Sequence, residues 1–251
     1  MFLLQAAAGL YLFLPLVGRR TAGVKFFRLI LVVCASLVAC AAVAHAAASR
    51  SVLAAGDIVV VSLVLFLWLV LRYPTRLVFK AAVALLAAGF MVLTLVAYHQ
   101  TVEPPSLAWS IAGALSGVGI LGSVNLAMIL GHWYLVVRGM PIEPLKRLTW
   151  ATLAGTLVKL IVVAAALFSV AGPGIARATP LWTLFVADGI FFWMRVGWGL
   201  LVPLLLFPMI WGTVKIRSTM AATGILYVAV VAVVIGEVLG TYLSGAHHLT
   251  L

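Results

Sequence analysis

Residues 106–136 read SLAWSIAGALSGVGILGSVNLAMILGHWYLV, without one Asp, Glu, Lys or Arg. This run exceeds the ~20 residues that a helix needs to cross ~30 Å of hydrocarbon. Small residues recur along it at the four-residue spacing that places side chains on one helix face. They are Gly113 with Gly117, and Gly119 with Ser123, Ala127 and Gly131. We therefore predict a membrane-spanning helix against which other helices pack closely.

The rest of the chain has the same apolar character. Of its 251 residues, 66% are hydrophobic and 8% are charged, and the mean hydropathy is +1.28. Soluble proteins carry about 25% charged residues. No connecting segment is long enough for a separate globular domain. The sequence therefore predicts an all-α integral membrane protein in which residues 1–251 form a single polytopic membrane domain.

Eight transmembrane helices are predicted. Asp57 and Ser218 are expected to be the N-caps of the third and eighth helices. Pro203 and Pro208 predict a kink in the inner part of the seventh helix. The predicted spans are residues 2–18, 27–48, 54–72, 78–99, 106–136, 144–171, 181–213 and 219–243.

The connections between these spans alternate in charge. The second, fourth and sixth contain only Arg50 and Arg177 as basic residues. Because basic loops remain in the cytoplasm, we expect both termini on the outer, periplasmic side. The first, third, fifth and seventh connections contain Arg19, Arg20, Lys25, Arg28, Arg72, Arg76, Lys80, Arg138, Lys146, Arg147, Lys215 and Arg217.

The net charge of +11 is therefore a topology signal. Its charges lie in short loops beside the membrane, which favours contact with anionic membrane lipid and excludes nucleic acid as the expected partner. The excess of Arg over Lys and the Ala-, Val- and Leu-rich spans indicate a bacterial inner (cytoplasmic) membrane.

Four charged residues lie inside the predicted spans: Lys159, Asp188, Arg195 and Glu237. A charge near the bilayer centre costs at least ~2.5–3.5 kcal/mol, so such residues generally have a partner or a function. We expect Lys159 to point into the bundle and to pair with Asp188 or Glu237. Structural ion pairing and a proton, ion or cofactor role are both compatible with this cluster.

The sixth predicted helix has a polar stripe that ends at one of these charges. Thr149, Thr152, Thr156 and Lys159 follow spacings of three, four and three residues, which place them on one helix face. Lys159 is expected near the middle of the bilayer, too deep for its side chain to reach the interface.

The inner end of the fifth helix carries His132, Trp133 and Tyr134, with Asn125 two turns deeper on the His132 face. Trp and Tyr at this depth are typical interface anchors. A polar aromatic cluster can also bind the head of a quinone, with His132 exchanging a proton. We consider these four residues, with Arg195 from the seventh helix, as a candidate quinone site.

The histidines at the outer helix ends suggest a second kind of site. His45 and His99 are candidate metal or haem ligands. No HxxxH or CxxC spacing supports them, and haem is a weaker expectation than quinone. The sequence also lacks a P-loop, GxSxG, HExxH and a Rossmann fingerprint, so no catalytic residue is assigned.

Three functions remain open. The first is a membrane-embedded subunit of a larger respiratory or electron-transfer assembly, which binds quinone and works with other protein subunits. The second is a secondary transporter that uses an intramembrane pair of Lys159 and an acid. The third is a non-catalytic scaffold subunit with purely structural charges.

Overall fold

A computed structural model describes residues 1–70, 76–137, 139–171 and 189–251. These ranges contain nine α-helices and no β-strand. A 3₁₀ turn, Leu14–Leu16, extends α1, and a π-helical turn, Gly197–Leu201, joins α7 to α8. The helices are α1 Phe2–Phe13, α2 Arg19–Ala47, α3 Ser51–Val70, α4 Arg76–Val102, α5 Leu107–Val136, α6 Glu143–Ala171, α7 Gly189–Val196, α8 Val202–Lys215 and α9 Thr219–His247.

Six helical segments of the described chain are long and apolar enough to cross a membrane. Two shorter apolar helices, Phe2–Leu16 and Val52–Trp68, accompany them. Large apolar side chains such as Phe168 and Leu205 are exposed on the bundle surface, where lipid can solvate them. The chain is therefore a multi-pass, all-helical membrane protein. The six segments are Thr21–Ala47, Ala81–Val102, Leu107–Val136, Glu143–Ser169, Gly189–Lys215 and Thr219–His247.

One predicted helix cap is wrong. α3 begins at Ser51, so Asp57 lies inside the helix. Its carboxylate Oδ2 accepts a hydrogen bond from His45 Nδ1 on α2 at 2.7 Å. The helix begins more than one turn before Asp57, so this carboxylate cannot cap its first turn and makes a tertiary contact instead. Ser218 does occupy the N-cap position of α9, although its side chain makes no capping hydrogen bond.

In the seventh predicted span a π-helical turn precedes the two prolines at which a kink is predicted. α7 ends at Val196, the turn Gly197–Leu201 follows, and α8 begins at Val202. Pro203 lies in the first turn of α8, where a missing N–H is tolerated. Pro208 lies inside α8.

The central helix of the bundle is α5. In the most apolar 18-residue stretch of α5, 72% of the residues are buried. The corresponding stretches of the other five spanning segments are 28% to 44% buried. Its small residues give each neighbouring helix a place to approach, as predicted. Gly113 faces Tyr98 of α4, Gly117 and Gly122 face Gln5 and Gly9 of α1, Gly119 faces Gly155 of α6, and Gly131 faces Thr223 of α9.

The tightest of these contacts joins α1 to α5 through backbone atoms. A Cβ atom placed on Gly122 would lie 2.2 Å from the carbonyl carbon of Gly9 and 2.3 Å from its Cα. A Cβ atom on Gly9 would lie 2.3 Å from the carbonyl oxygen of Val118. Backbone cannot move aside as a flexible side chain can, so this approach requires glycine on both helices.

Gly122→Ala should therefore separate α1 from α5 and lower stability by about 1–3 kcal/mol, the usual cost of overpacking. The measurement is thermal unfolding of the purified protein in mild detergent. Gly224→Ala on α9 is the matched control, because a Cβ atom there meets nothing within 4 Å. Equal unfolding temperatures for the two variants would contradict the close approach.

Candidate functional site

Three charged side chains from three helices meet in the core of the bundle. Arg195 of α7 donates through Nη2 to Glu237 Oε1 of α9 at 2.7 Å. Lys159 Nζ of α6 lies 3.6 Å from the other carboxylate oxygen, Oε2. The exposed fractions of Arg195, Lys159 and Glu237 are 0%, 2% and 3%. The expected pairing of Lys159 with an acid is confirmed, and the partner is Glu237.

Glycines on two helices make room for the guanidinium of Arg195. A Cβ atom on Gly199 would lie 2.7 Å from Nη1, and one on Gly240 would lie 2.6 Å from Nε. The backbones of Gly199 and Gly236 also approach directly, since a Cβ atom on Gly236 would lie 2.2 Å from the Gly199 Cα. The π-helical turn and α9 therefore pack closely enough to enclose the arginine.

The cluster has two cations and one carboxylate. Glu237 uses one oxygen for each cation, so its charge is shared. Arg195 Nε and Nη1 are buried and have no hydrogen-bond partner in the part of the chain that the structure describes. The three side chains thus carry one excess positive charge when all are ionised. Asp188, the fourth charged residue of the predicted cluster, lies outside the described residues.

Tyr98 of α4 is a further buried polar residue of the bundle, and its side chain lies against Gly113 of α5. It was not predicted from the sequence. A single tyrosine within an apolar helix has no spacing relation to the charged residues, so only the packing of α4 against α5 identifies it.

Three residues of the candidate quinone site lie at the C-terminal end of α5 and Asn125 lies two turns before them, in different environments. His132 is exposed, whereas Trp133 packs against Phe26 of α2 with ring centroids 5.5 Å apart. The hydroxyl of Tyr134 donates to the backbone oxygen of Pro141. Asn125 Nδ2 donates to the backbone oxygen of Leu121 at 2.8 Å.

Arg195 lies far from this group. Gly131, beside His132, faces Thr223 of α9, whereas Arg195 binds Glu237 of the same helix. The two α9 residues are separated by roughly 21 Å at a rise of 1.5 Å per residue. The structure therefore places the charge cluster and the aromatic group at different depths and does not bring them into one cleft.

The two histidines considered as metal ligands are engaged with other partners. His45 Nδ1 bonds to Asp57, and His99 Nδ1 forms a hydrogen bond with Ser110 Oγ at 2.8 Å. Within the described ranges no three His, Cys, Asp or Glu side chains are grouped so that they could hold a metal ion. The geometry thus provides no metal centre from His45 and His99 in those ranges.

Comparison with known protein families, with characterised proteins and with solved structures finds no match for this chain. The buried charge cluster is therefore the feature of this chain that points most directly to a function.

Removal of the shared carboxylate should damage the protein more than removal of one cation. Glu237→Gln removes the carboxylate that, among the described residues, pairs with both cations, whereas Lys159→Met leaves the neutral Arg195–Glu237 pair. Breaking a buried pair costs about 3–5 kcal/mol. We expect a lower unfolding temperature and folded yield for Glu237→Gln than for Lys159→Met, measured by fluorescence-detected size exclusion after heating.

Lys215→Met is the control, because this lysine is exposed at the end of α8 and its removal should leave stability unchanged. If Lys159→Met lowered the unfolding temperature as much as Glu237→Gln, a further acid near Lys159 would have to be part of the cluster. The description of the cluster as two cations and one carboxylate would then be wrong.

Proposed function

We propose that this protein is a proton-coupled secondary transporter whose coupling site is the cluster of Lys159, Arg195 and Glu237. The observation that carries the proposal is the sharing of one buried carboxylate by two cations. Among the described residues the cluster has one more cation than carboxylates, and a buried charge imbalance is costly to keep for structure alone. Such a cluster can couple transport to proton movement if one of its cations releases and rebinds a proton.

Lys159 is the group able to do this. Arg195 stays protonated in proteins, and it holds Glu237 through the closer contact of 2.7 Å. Lys159 makes the longer contact of 3.6 Å. Release of its proton removes the excess charge and leaves a neutral Arg195–Glu237 pair. The cluster can therefore alternate between a net charge of plus one and neutrality by binding one proton.

The proposal includes eight membrane crossings with both termini outside, in a bacterial inner membrane. The alternating loop charges support it. Contacts at one end of the bundle also support it. Arg50 Nη1, after α2, donates to Thr101 Oγ1 near the end of α4 at 3.1 Å. His248 Nδ1, after α9, forms a hydrogen bond with the Val102 backbone oxygen at 3.0 Å.

The decisive variant is Lys159→Arg, which keeps the positive charge but cannot release a proton at physiological pH. Proteoliposomes with a trapped pH-sensitive dye and a potassium-driven membrane potential report proton entry. We expect wild-type protein to conduct protons and Lys159→Arg to conduct at least about tenfold more slowly, since loss of a proton-transfer group commonly costs 10²–10⁴-fold.

Lys215→Arg serves as the matched control and should conduct like wild type, since this lysine is exposed at the inner end of α8. Conduction by Lys159→Arg at the wild-type rate would end the transporter proposal. A folded protein that conducts no protons in any form would favour the scaffold function with structural charges.

A second candidate function is a quinone-binding subunit of an electron-transfer assembly with other protein subunits. One observation favours it. Trp133 Nε1 is a buried donor without a hydrogen-bond partner in the described ranges, beside the exposed His132. Buried donors generally have partners, and a quinone carbonyl is an acceptor that lipid can deliver. The quinone site proposed from the structure consists of His132, Trp133 and the Phe26 ring. Unlike the site considered from the sequence, it does not include Arg195.

If quinone binds there, Trp133→Phe should reduce the quinone that copurifies in mild detergent, because the ring still packs on Phe26 while the N–H donor is lost. His132→Ala should reduce it further. Extraction and quantification of quinone provide the measurement. Trp150→Phe on the exposed surface of α6 is the control. Equal quinone content in all four proteins would exclude this site.

A further inference from the structure

The polar stripe of α6, which the sequence placed on one helix face, is buried and leads to the charge cluster. Thr149, Thr152 and Thr156 are nearly inaccessible, like Lys159 at the end of the same face. Thr149 lies in the second turn of α6, near its inner end, and Lys159 lies roughly 15 Å further along the axis at 1.5 Å per residue. A polar face therefore connects the inner end of the helix with the titratable lysine.

Each threonine hydroxyl on this face donates to the backbone carbonyl one turn earlier. The acceptors are Leu145 at 2.9 Å, Leu148 at 2.9 Å and Thr152 at 2.8 Å. A hydroxyl has one donor and two acceptor positions. Because the donors are used within α6, the oxygens remain available as acceptors on the buried face.

A small cavity lies beside the inner part of the stripe. Thr149 and Thr152 line it from α6, and apolar side chains of α6, α8 and α9 complete its walls. Its size is about that of one water molecule. Polar acceptors on one side and room for water are the conditions under which a buried cavity is hydrated. The other lining residues are Leu153, Pro203, Phe207, Ile210 and Leu226.

The spacing along the stripe suits bridging water. Successive positions from Thr149 to Lys159 are three or four residues apart, or roughly 4.5–6 Å of rise. One water molecule with two hydrogen bonds of about 2.8 Å spans about 5.6 Å. This spacing suits waters that donate to successive threonine oxygens, and protons would pass from water to water because the threonine hydroxyl protons are bonded to the backbone.

We infer that the face formed by Thr149, Thr152 and Thr156 is a water-lined route that carries protons between the inner end of the bundle and Lys159. In each transfer a hydronium ion gives one proton to the unprotonated Nζ of Lys159, and a neutral water molecule remains. Beyond Lys159 the route meets Glu237 and Arg195, which is enclosed by glycine backbone. That the route carries protons for transport rests on the proposed function. Whether water reaches the threonine face can be tested separately.

The test is accessibility of single cysteines to silver ion, a small cation that reacts with thiolate and does not cross lipid. Cys34→Ala and Cys40→Ala remove the native thiols. Cysteines at positions 149, 152 and 156 are exposed to silver in sealed vesicles of each orientation. Later maleimide labelling of the unfolded protein measures how much thiol remains. Thr21→Cys marks the inner side.

We expect all three stripe cysteines to react from the side that modifies Thr21→Cys, at least about tenfold faster than Val158→Cys, because thiolate forms in water and not in hydrocarbon. Val158 is the matched control since it lies beside Lys159 in sequence but faces lipid. Reaction at the Val158→Cys rate, or only from the opposite side, would overturn the route.

The accessibility result separates this inference from the transporter proposal. Reactive stripe cysteines in a protein that conducts no protons would support the route and reject the function. If both hold, Thr152→Val should slow proton entry, since valine keeps the volume and removes the acceptor. Thr213→Val on α8 is the control, because this hydroxyl is also bonded to its own helix but lies on a partly exposed face away from the stripe. Unchanged conduction by Thr152→Val would overturn proton transfer along the stripe.

Discussion

One carboxylate, that of Glu237, holds two cations in the core of this membrane protein. Arg195 and Lys159 come from different helices, so the interaction ties α7 and α6 to α9. Burying a charge in a membrane is costly unless another charge compensates it. The positions of three helices therefore depend on this carboxylate. A proton could be gained or lost in the core without disturbing them only if the Arg195–Glu237 contact is kept.

The cluster can be enclosed because the surrounding helices approach through glycine. Gly199, Gly236 and Gly240 surround the guanidinium, and the Gly9–Gly122 contact joins α1 to the central helix α5. Lipid offers no hydrophobic driving force for helix association, so close packing and interhelical polar contacts supply the stability. The small residues and the buried charges are thus parts of one arrangement.

The arrangement also divides the two candidate functions in space. The charge cluster and the polar face of α6, the proposed proton site, lie within the bundle, whereas His132 and Trp133 lie at the C-terminal end of α5 near the bundle surface. Roughly 21 Å of α9 separates their levels. A proton route and a quinone site in one chain would therefore act as distinct centres, and each can be changed without altering the other.

The amino-acid sequence by itself determined the all-helical membrane class, the small-residue face of α5 and the polar face that ends at Lys159. These depend on hydropathy and helical periodicity, which are properties of neighbouring residues. Only the tertiary structure decided that Glu237 is shared by Lys159 and Arg195, that Asp57 bonds to His45 instead of capping α3, that Tyr98 is buried against Gly113, and that Arg195 lies away from His132. Each of these depends on the rotation and depth of helices distant in sequence, which close packing between helices sets and local pattern does not encode.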